Sequence, residues 1–193
     1  MNCLKNSERI ILGIDPGTTI MGYGLLCGKN AVKAELLALG VLELHKYEDH
    51  YKKLKVIFDR VTGLIDQFHV TELAIEAPFY GKNVQSMLKL GRAQGTAIAA
   101  ALSRSLDIYE YAPRKIKLAI TGQGNASKEQ VAALLQKMFA ISEMPSNLDA
   151  TDGLAAAVCH FYQKTQLSES STSNSAKSWK EFVNNHPKRV KNV

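Results

Sequence analysis

Four acidic residues stand where their neighbours make a carboxylate conspicuous. Asp15 closes the apolar run Ile10-Ile-Leu-Gly-Ile14, Glu76 closes Leu73-Ala-Ile75, and Asp149 and Asp152 precede the alanine-rich stretch Leu154-Ala-Ala-Ala157. Side chains alternate along a strand, so Asp15 shares a face with Ile11 and Gly13, and Glu76 shares one with Ala74. Three-residue spacing puts Asp149 and Asp152 on one face of a helix near its start. Carboxylates about 5 Å apart repel by ~3 kcal/mol per pair at an effective dielectric near 20, so a cluster of four needs cations. Hard oxygen ligands at that density suit Mg²⁺ or Mn²⁺. Two such ions about 4 Å apart activate a water on one side of a phosphodiester and stabilise the leaving oxygen on the other. Bland roles compete with this: Asp15 as a turn cap, and Asp149 and Asp152 as charges favoured by a helix N-terminus at ~0.3–1 kcal/mol each.

Strand ends and a helix start must therefore converge. Pro16 and Gly17 turn the chain after Asp15, and residues 21–26 read as a second strand, giving a hairpin. Residues 34–44 suit a third strand. Leu54, Ile57, Phe58, Val61, Leu64, Ile65 and Phe68 recur at spacings of three and four, the period of an amphipathic helix over residues 51–68. Residues 72–78 form a fourth strand ended by Pro78. Asn83 caps a long helix over 84–103, on which Gly91, Gly95 and Ala99 share one stripe. Such a stripe implies close approach, either of the sheet or of a second subunit, with the sheet the simpler expectation. Residues 107–111 form a fifth strand, Pro113 opens a helix through 120, Ser127 opens a capping pattern through 139, and a last helix covers 148–162. This order predicts an α/β fold: a mixed sheet with an antiparallel three-strand start, then parallel strands, flanked by helices. It is the order of a ribonuclease H-like fold.

A chain of 193 residues, nearly half apolar, is large enough for one domain with a sizeable core plus a tail. We expect a polar extension over 1–9, a nuclease domain over 10–164 and a disordered basic tail over 165–193. Within that tail, Ser168-Glu-Ser-Ser-Thr-Ser-Asn-Ser175 is low-complexity. The net charge of +6 points to an acidic partner such as nucleic acid. Cys3, Cys27 and Cys159 are odd in number and widely spaced, which argues against a zinc site or disulfide framework and for a reducing compartment. The start is polar, and no run approaches the roughly 20 apolar residues of a membrane span. A cytoplasmic protein without membrane association is expected.

Gly13-Ile-Asp-Pro-Gly-Thr18, Ile75-Glu-Ala-Pro-Phe-Tyr-Gly-Lys-Asn83, Leu88-Lys-Leu-Gly-Arg-Ala-Gln-Gly95 and Asp149-Ala-Thr-Asp-Gly-Leu-Ala155 together resemble the RuvC family of Holliday junction resolvases. The four motifs stand in the family's order and spacing, over about residues 10–162. The resemblance implies that Asp15, Glu76, Asp149 and Asp152 are the catalytic, metal-binding acids. It implies a DNA-binding aromatic at Phe79 beside the junction centre, and DNA-binding lysines at Lys117 and Lys128 near the scissile phosphates. It further implies two Mg²⁺ per subunit, with Mn²⁺ as a substitute, and a homodimer that resolves four-way junctions in recombination and repair by paired nicks. RuvA and RuvB branch-migration proteins are the implied partners. Phe79 has a core role as its alternative, and Lys128 a solvated one. Gly153, where the family usually has alanine, is expected to loosen the helix start.

Two rival enzymes and a binding module remain in view. Gly13-Ile-Asp-Pro-Gly-Thr-Thr19 also resembles the first phosphate loop of actin-like ATPases and sugar kinases, but the second glycine-rich loop and the longer two-lobed chain are missing. A ribonuclease H-like nuclease acting on RNA ends or RNA–DNA hybrids is the nearer rival. A junction-binding module without cleavage fits poorly with an intact set of four acids.

Overall fold

Ile10, Leu12 and Ile14 face one side of strand β1 (Arg9–Asp15) and Ile11 and Gly13 the other, as strand alternation requires. β1 sits at the centre of the sheet because it is apolar on both faces. The computed structural model describes residues 9–29, 33–78, 83–143, 145 and 147–170, with side chains to 163. The chain divides into two units, Met1–Tyr162 and Gln163–Val193, and the sheet belongs to the first.

Five strands lie in the order β3-β2-β1-β4-β5. β2 (Ile20–Gly28) returns antiparallel to β1, and β3 (Ala34–Glu43) continues the meander at the edge. β4 (Glu72–Glu76) and β5 (Asp107–Tyr111) are added parallel, each after a helix. The mixed α/β sheet predicted from element order is the one observed.

Helix α1 (His50–Phe68) buries Ile57, Val61, Leu64 and Ile65 at helical spacing. Its ends are made locally: Asp49 Oδ1 accepts from the Tyr51 amide, and His69 adopts a left-handed conformation. Burying each of these side chains contributes roughly 1.5–3 kcal/mol. α2 (Val84–Leu102) joins α1 on the same face of the sheet. On the opposite face lie α3 (Pro113–Thr121), α4 (Lys128–Phe139) and α5 (Asp149–Ser170). The result is three layers, with one apolar core on each side of the sheet.

Two expectations need correction. On α2 it is Ala93, Ala97, Ala100 and Ala101 that pack inward, whereas Gly91, Gly95 and Ala99 point outward, and a Cβ added at either glycine would meet nothing within 4 Å. Sheet packing is therefore not what these glycines serve. Helix α5 continues through Ser170, past the end expected at Tyr162, into the low-complexity segment. A composition that cannot support a core can still extend a helix, because each residue added to a formed helix adds one hydrogen bond. Cys159 is free and buried. Among the described residues, no helix is long and apolar enough to cross a membrane.

Candidate active site

β1 and β4 run side by side in parallel, with Ile14 opposite Ile75, so the residues that follow, Asp15 and Glu76, end the two strands next to each other. α5 supplies the other two acids from its first turn. Asn147 Oδ1 accepts from the Asp149 amide at 2.9 Å and satisfies one of the unpaired donors of that turn. The helix lies directly on the backbone of the sheet, and missing side chains make this possible. A Cβ on Gly13 would sit 2.2 Å from the Gly153 carbonyl oxygen, and one on Gly24 would sit 2.4 Å from the Leu154 Cα. A Cβ on Gly153 itself would come within 2.6 Å of the backbone of Gly22 and Tyr23. Gly153 thus does not loosen the helix start; it allows the helix start to touch β2.

Asp15, Asp149 and Asp152 each offer a carboxylate oxygen within 4.8 Å of the others. Glu76 lies outside that trio and acts on it by charge. Burial, then the charges of Glu76 and Asp152, push the Asp15 carboxyl up to about 8. Burial and Asp152 push Glu76 up to about 7, and burial also raises Asp152. Carboxyls that resist ionisation for this reason form a site that lacks positive charge. All the donors are hard oxygens, which fits Mg²⁺ or Mn²⁺ and gives no purchase to softer metals.

One cation is built in. Ser127 and Gln130 form a reciprocal capping box that starts α4 at Lys128. Lys128 Nζ donates to Asp149 Oδ1 at 3.2 Å and, in a shorter bond, to Asp152 Oδ2. Burial is the largest single influence and disfavours its ammonium, but the bonds to Asp152 and Asp149 and the charges of both together outweigh it and hold the group above the ordinary lysine range. The side chain is half exposed, and its ammonium is shared between two of the acids as well as open to a phosphate. Lys117, on α3, makes no side-chain hydrogen bond among the described residues, yet its charge favours the ionised forms of Glu76 and Asp152. Phe79 lies outside the described residues.

Two contacts around the site escaped sequence reasoning. Lys53 Nζ donates to the Thr18 carbonyl at 3.2 Å and ties α1 to the turn after Asp15. Gln94, buried on α2, donates to Glu110 Oε2 at 3.0 Å behind the end of β4. A lysine or glutamine on an amphipathic helix carries no local signal that separates such a contact from a solvated face.

A family model described as crossover junction endodeoxyribonuclease RuvC matches residues 11–160, which include all four acids. The chain belongs to the RuvC family. The RuvC of Christiangramia forsetii is 61% identical over 96% of this chain and 94% of its own length. That of Porphyromonas gingivalis is 59% identical over 97% of this chain and 100% of its own. Among solved structures, Thermus thermophilus RuvC in complex with a Holliday junction substrate superposes with a TM-score of 0.76 at 30% identity, over 82% of this chain and 96% of that one. The sheet is thus that of a RuvC nuclease. The match to the Porphyromonas RuvC also takes in most of the residues beyond Lys164, so much of the tail has a counterpart there.

Proposed function

We propose that this RuvC-family endonuclease resolves four-way DNA junctions by paired hydrolytic nicks, with Asp15, Glu76, Asp149 and Asp152 holding two divalent cations at each active site. One observation carries the reading: three acids from β1 and α5 converge within 4.8 Å, beside a fourth, at a place where burial and neighbouring carboxylates raise the pKa values of Asp15 and Glu76. Mg²⁺ is the cation that the oxygen donors favour, and Mn²⁺ is its substitute. When bound, the ions supply positive charge to the scissile phosphate and lower the pKa of the attacking water.

The chain's own residues orient and neutralise. Asp15 and Glu76 are fixed by the ladder between β1 and β4, and Asp149 and Asp152 by the seating of α5 on Gly13, Gly22 and Gly24. Lys128 holds the two helix acids and, together with Lys117, provides positive charge for a phosphate entering beside them. Phe79 is the aromatic proposed to meet the junction centre. The structure of Thermus thermophilus RuvC contains a Holliday junction substrate, which supports the same substrate here.

Paired nicks require two sites, and a homodimer supplies them. Supporting this is the outward face of α2, where Val84, Leu88 and Leu102 are 69%, 53% and 58% exposed and flank Gly91 and Gly95. Exposed apolar surface beside glycines permits close helix approach, and a second copy of this chain is the occupant that paired chemistry calls for. RuvA and RuvB as partners, and the cytoplasm as the compartment, follow from the family resemblance and from the DNA substrate.

The test is to offer the protein a synthetic four-way junction, a linear duplex and an RNA–DNA hybrid in Mg²⁺. Nicks at symmetric positions of the junction alone are expected. Equal cleavage of the hybrid would replace the reading with that of an RNA-directed nuclease.

A further inference from the structure

Each element that carries one of the four acids is also held, well away from that acid, by one largely buried polar network. Arg9 opens β1, which ends in Asp15; Glu72 opens β4, which ends in Glu76; and His160 lies on α5, which begins with Asp149 and Asp152. Arg9 donates through Nε and a terminal nitrogen to Glu72, the latter at 2.8 Å to Oε2. His160 Nε2 lies 2.9 Å from the same Oε2, and its Nδ1 lies 2.6 Å from the Tyr111 hydroxyl. Tyr109 stacks on the imidazole with centroids 4.2 Å apart. His160 is 1% and Glu72 6% exposed.

The proton arrangement follows from the partners. Burial pushes the Tyr111 phenol up to about 12, so the hydroxyl keeps its proton and is the donor to Nδ1 in the tautomer that leaves this nitrogen bare. Nε2 then carries the hydrogen and donates to Glu72, which also accepts from Arg9. Every member has a defined role, and the chain of bonds links β5, α5, β4 and β1. His160 stands two helical turns beyond Asp152, about 12 Å along α5 at 1.5 Å per residue. Glu72 is set back about 13 Å from Glu76 along β4 at ~3.3 Å per residue. The network therefore touches none of the acids.

We infer that Arg9, Glu72, His160 and Tyr111 form a distal clamp that holds the three acid-bearing elements in register, with His160 a positioning residue for the metal-binding acids. The acids repel one another, and at its acid-bearing start α5 meets the sheet backbone to backbone at Gly13 and Gly22, a contact with little interdigitation to resist sliding, its large side chains packing further along the helix. A directional bond from α5 to the start of β4, two turns behind the acids, supplies that resistance. The rigid helix and strand carry it to the site.

The inference rests on the metal-site reading above. The experiment is calorimetric titration of the full-length protein with Mn²⁺, without DNA, at a temperature where every variant is folded. His160→Leu is expected to weaken Mn²⁺ binding by about tenfold, the scale seen when outer-shell support of a metal site is lost. His160→Gln, which retains a donor toward Glu72, should regain most of the affinity. Ile57→Ala, in the other core on a helix that carries none of the four site acids, should lower the melting temperature and leave Mn²⁺ binding unchanged. Tyr111→Phe removes one bond, keeps the ring, and gives a milder loss should His160→Leu fail to fold. Parent-like binding in the folded His160 and Tyr111 variants, or equal weakening in Ile57→Ala, overturns the clamp. Asp152→Asn separates the two readings. If it loses Mn²⁺ binding while His160→Leu keeps it, only the clamp fails; if it binds like the parent, the metal site fails and the clamp with it.

Discussion

Gly22 and Asp149 meet backbone to backbone: a Cβ on Gly22 would lie 1.7 Å from the Asp149 carbonyl oxygen. The strand that pairs with β1 therefore acts as the floor on which the first turn of α5 rests. Replacing Gly22 with alanine must lift the helix start or bend the strand. Overpacking of this kind typically costs 1–3 kcal/mol, and here it also moves two of the four acids. Thermal unfolding should show the destabilisation, and metal titration should show weaker binding than in an equally destabilised core variant.

Asp15→Asn and Asp152→Asn remove a negative ligand while keeping nearly the same shape. Metal-free stability should hold or rise, because repulsion is relieved, whereas a capping role would cost about 0.5–2 kcal/mol. Junction binding in Ca²⁺ should survive, since affinity comes mainly from basic groups on phosphates. Cleavage in Mg²⁺ should fall by several orders of magnitude. Retained cleavage in both variants would remove the two-metal assignment.

The pH dependence has an unusual sign for carboxylates. Asp15 and Glu76 have folded pKa values raised to about 8 and about 7, from ordinary values of 3.8 and 4.5. Below pH 3.8 both states are protonated and these groups cost the fold nothing. As pH rises toward 8 the unfolded chain releases these protons first, so metal-free stability declines across that window and levels off above it. Mg²⁺ should flatten the decline, and its affinity should rise with pH over the same range as protons leave the ligands. Melting curves of the parent and Asp15→Asn, with and without Mg²⁺, test this: the variant should decline less.

Lys128→Ala leaves Asp149 and Asp152 facing each other without their shared ammonium. Its melting temperature should drop more in the metal-free protein than in Mg²⁺, because a bound ion replaces the missing charge. Cleavage should slow, and the salt dependence of junction binding should flatten. Lys117→Ala, which removes a charge but none of the hydrogen bonds described here, should slow cleavage with a smaller change in stability. An equal stability loss with and without metal in Lys128→Ala would return that lysine to a purely structural role.

Truncation after Lys164 removes most of the second unit and leaves Met1–Tyr162 entire. Folding and junction cleavage should persist, with some sequence-independent affinity lost along with Lys188, Arg189 and Lys191. Circular dichroism and a junction-cleavage assay check it; a truncated chain that does not fold would make the tail part of the domain.

Strands, helices and the capping box at Ser127 were legible because each is a local property: alternation, a period of 3.6, or a cap a few residues from its partner. For the same reason Asp15 and Glu76 could be placed at strand ends, and Asp149 and Asp152 on one helical face, before any contact was known. What faces what across the chain was decided by the fold. The glycines of α2 read as a packing stripe, yet the alanines beside them took the inner face, because helix rotation answers to the whole apolar surface and not to the smallest residues. Lys128 read as a lysine for phosphate or for solvent, and only the seating of α4 against α5 put its ammonium between two aspartates. Arg9, Glu72, Tyr111 and His160 are scattered over most of the domain and share no motif. Their hydrogen bonds exist because β1, β4, β5 and α5 pack with one register, and no local pattern encodes a register between elements that far apart.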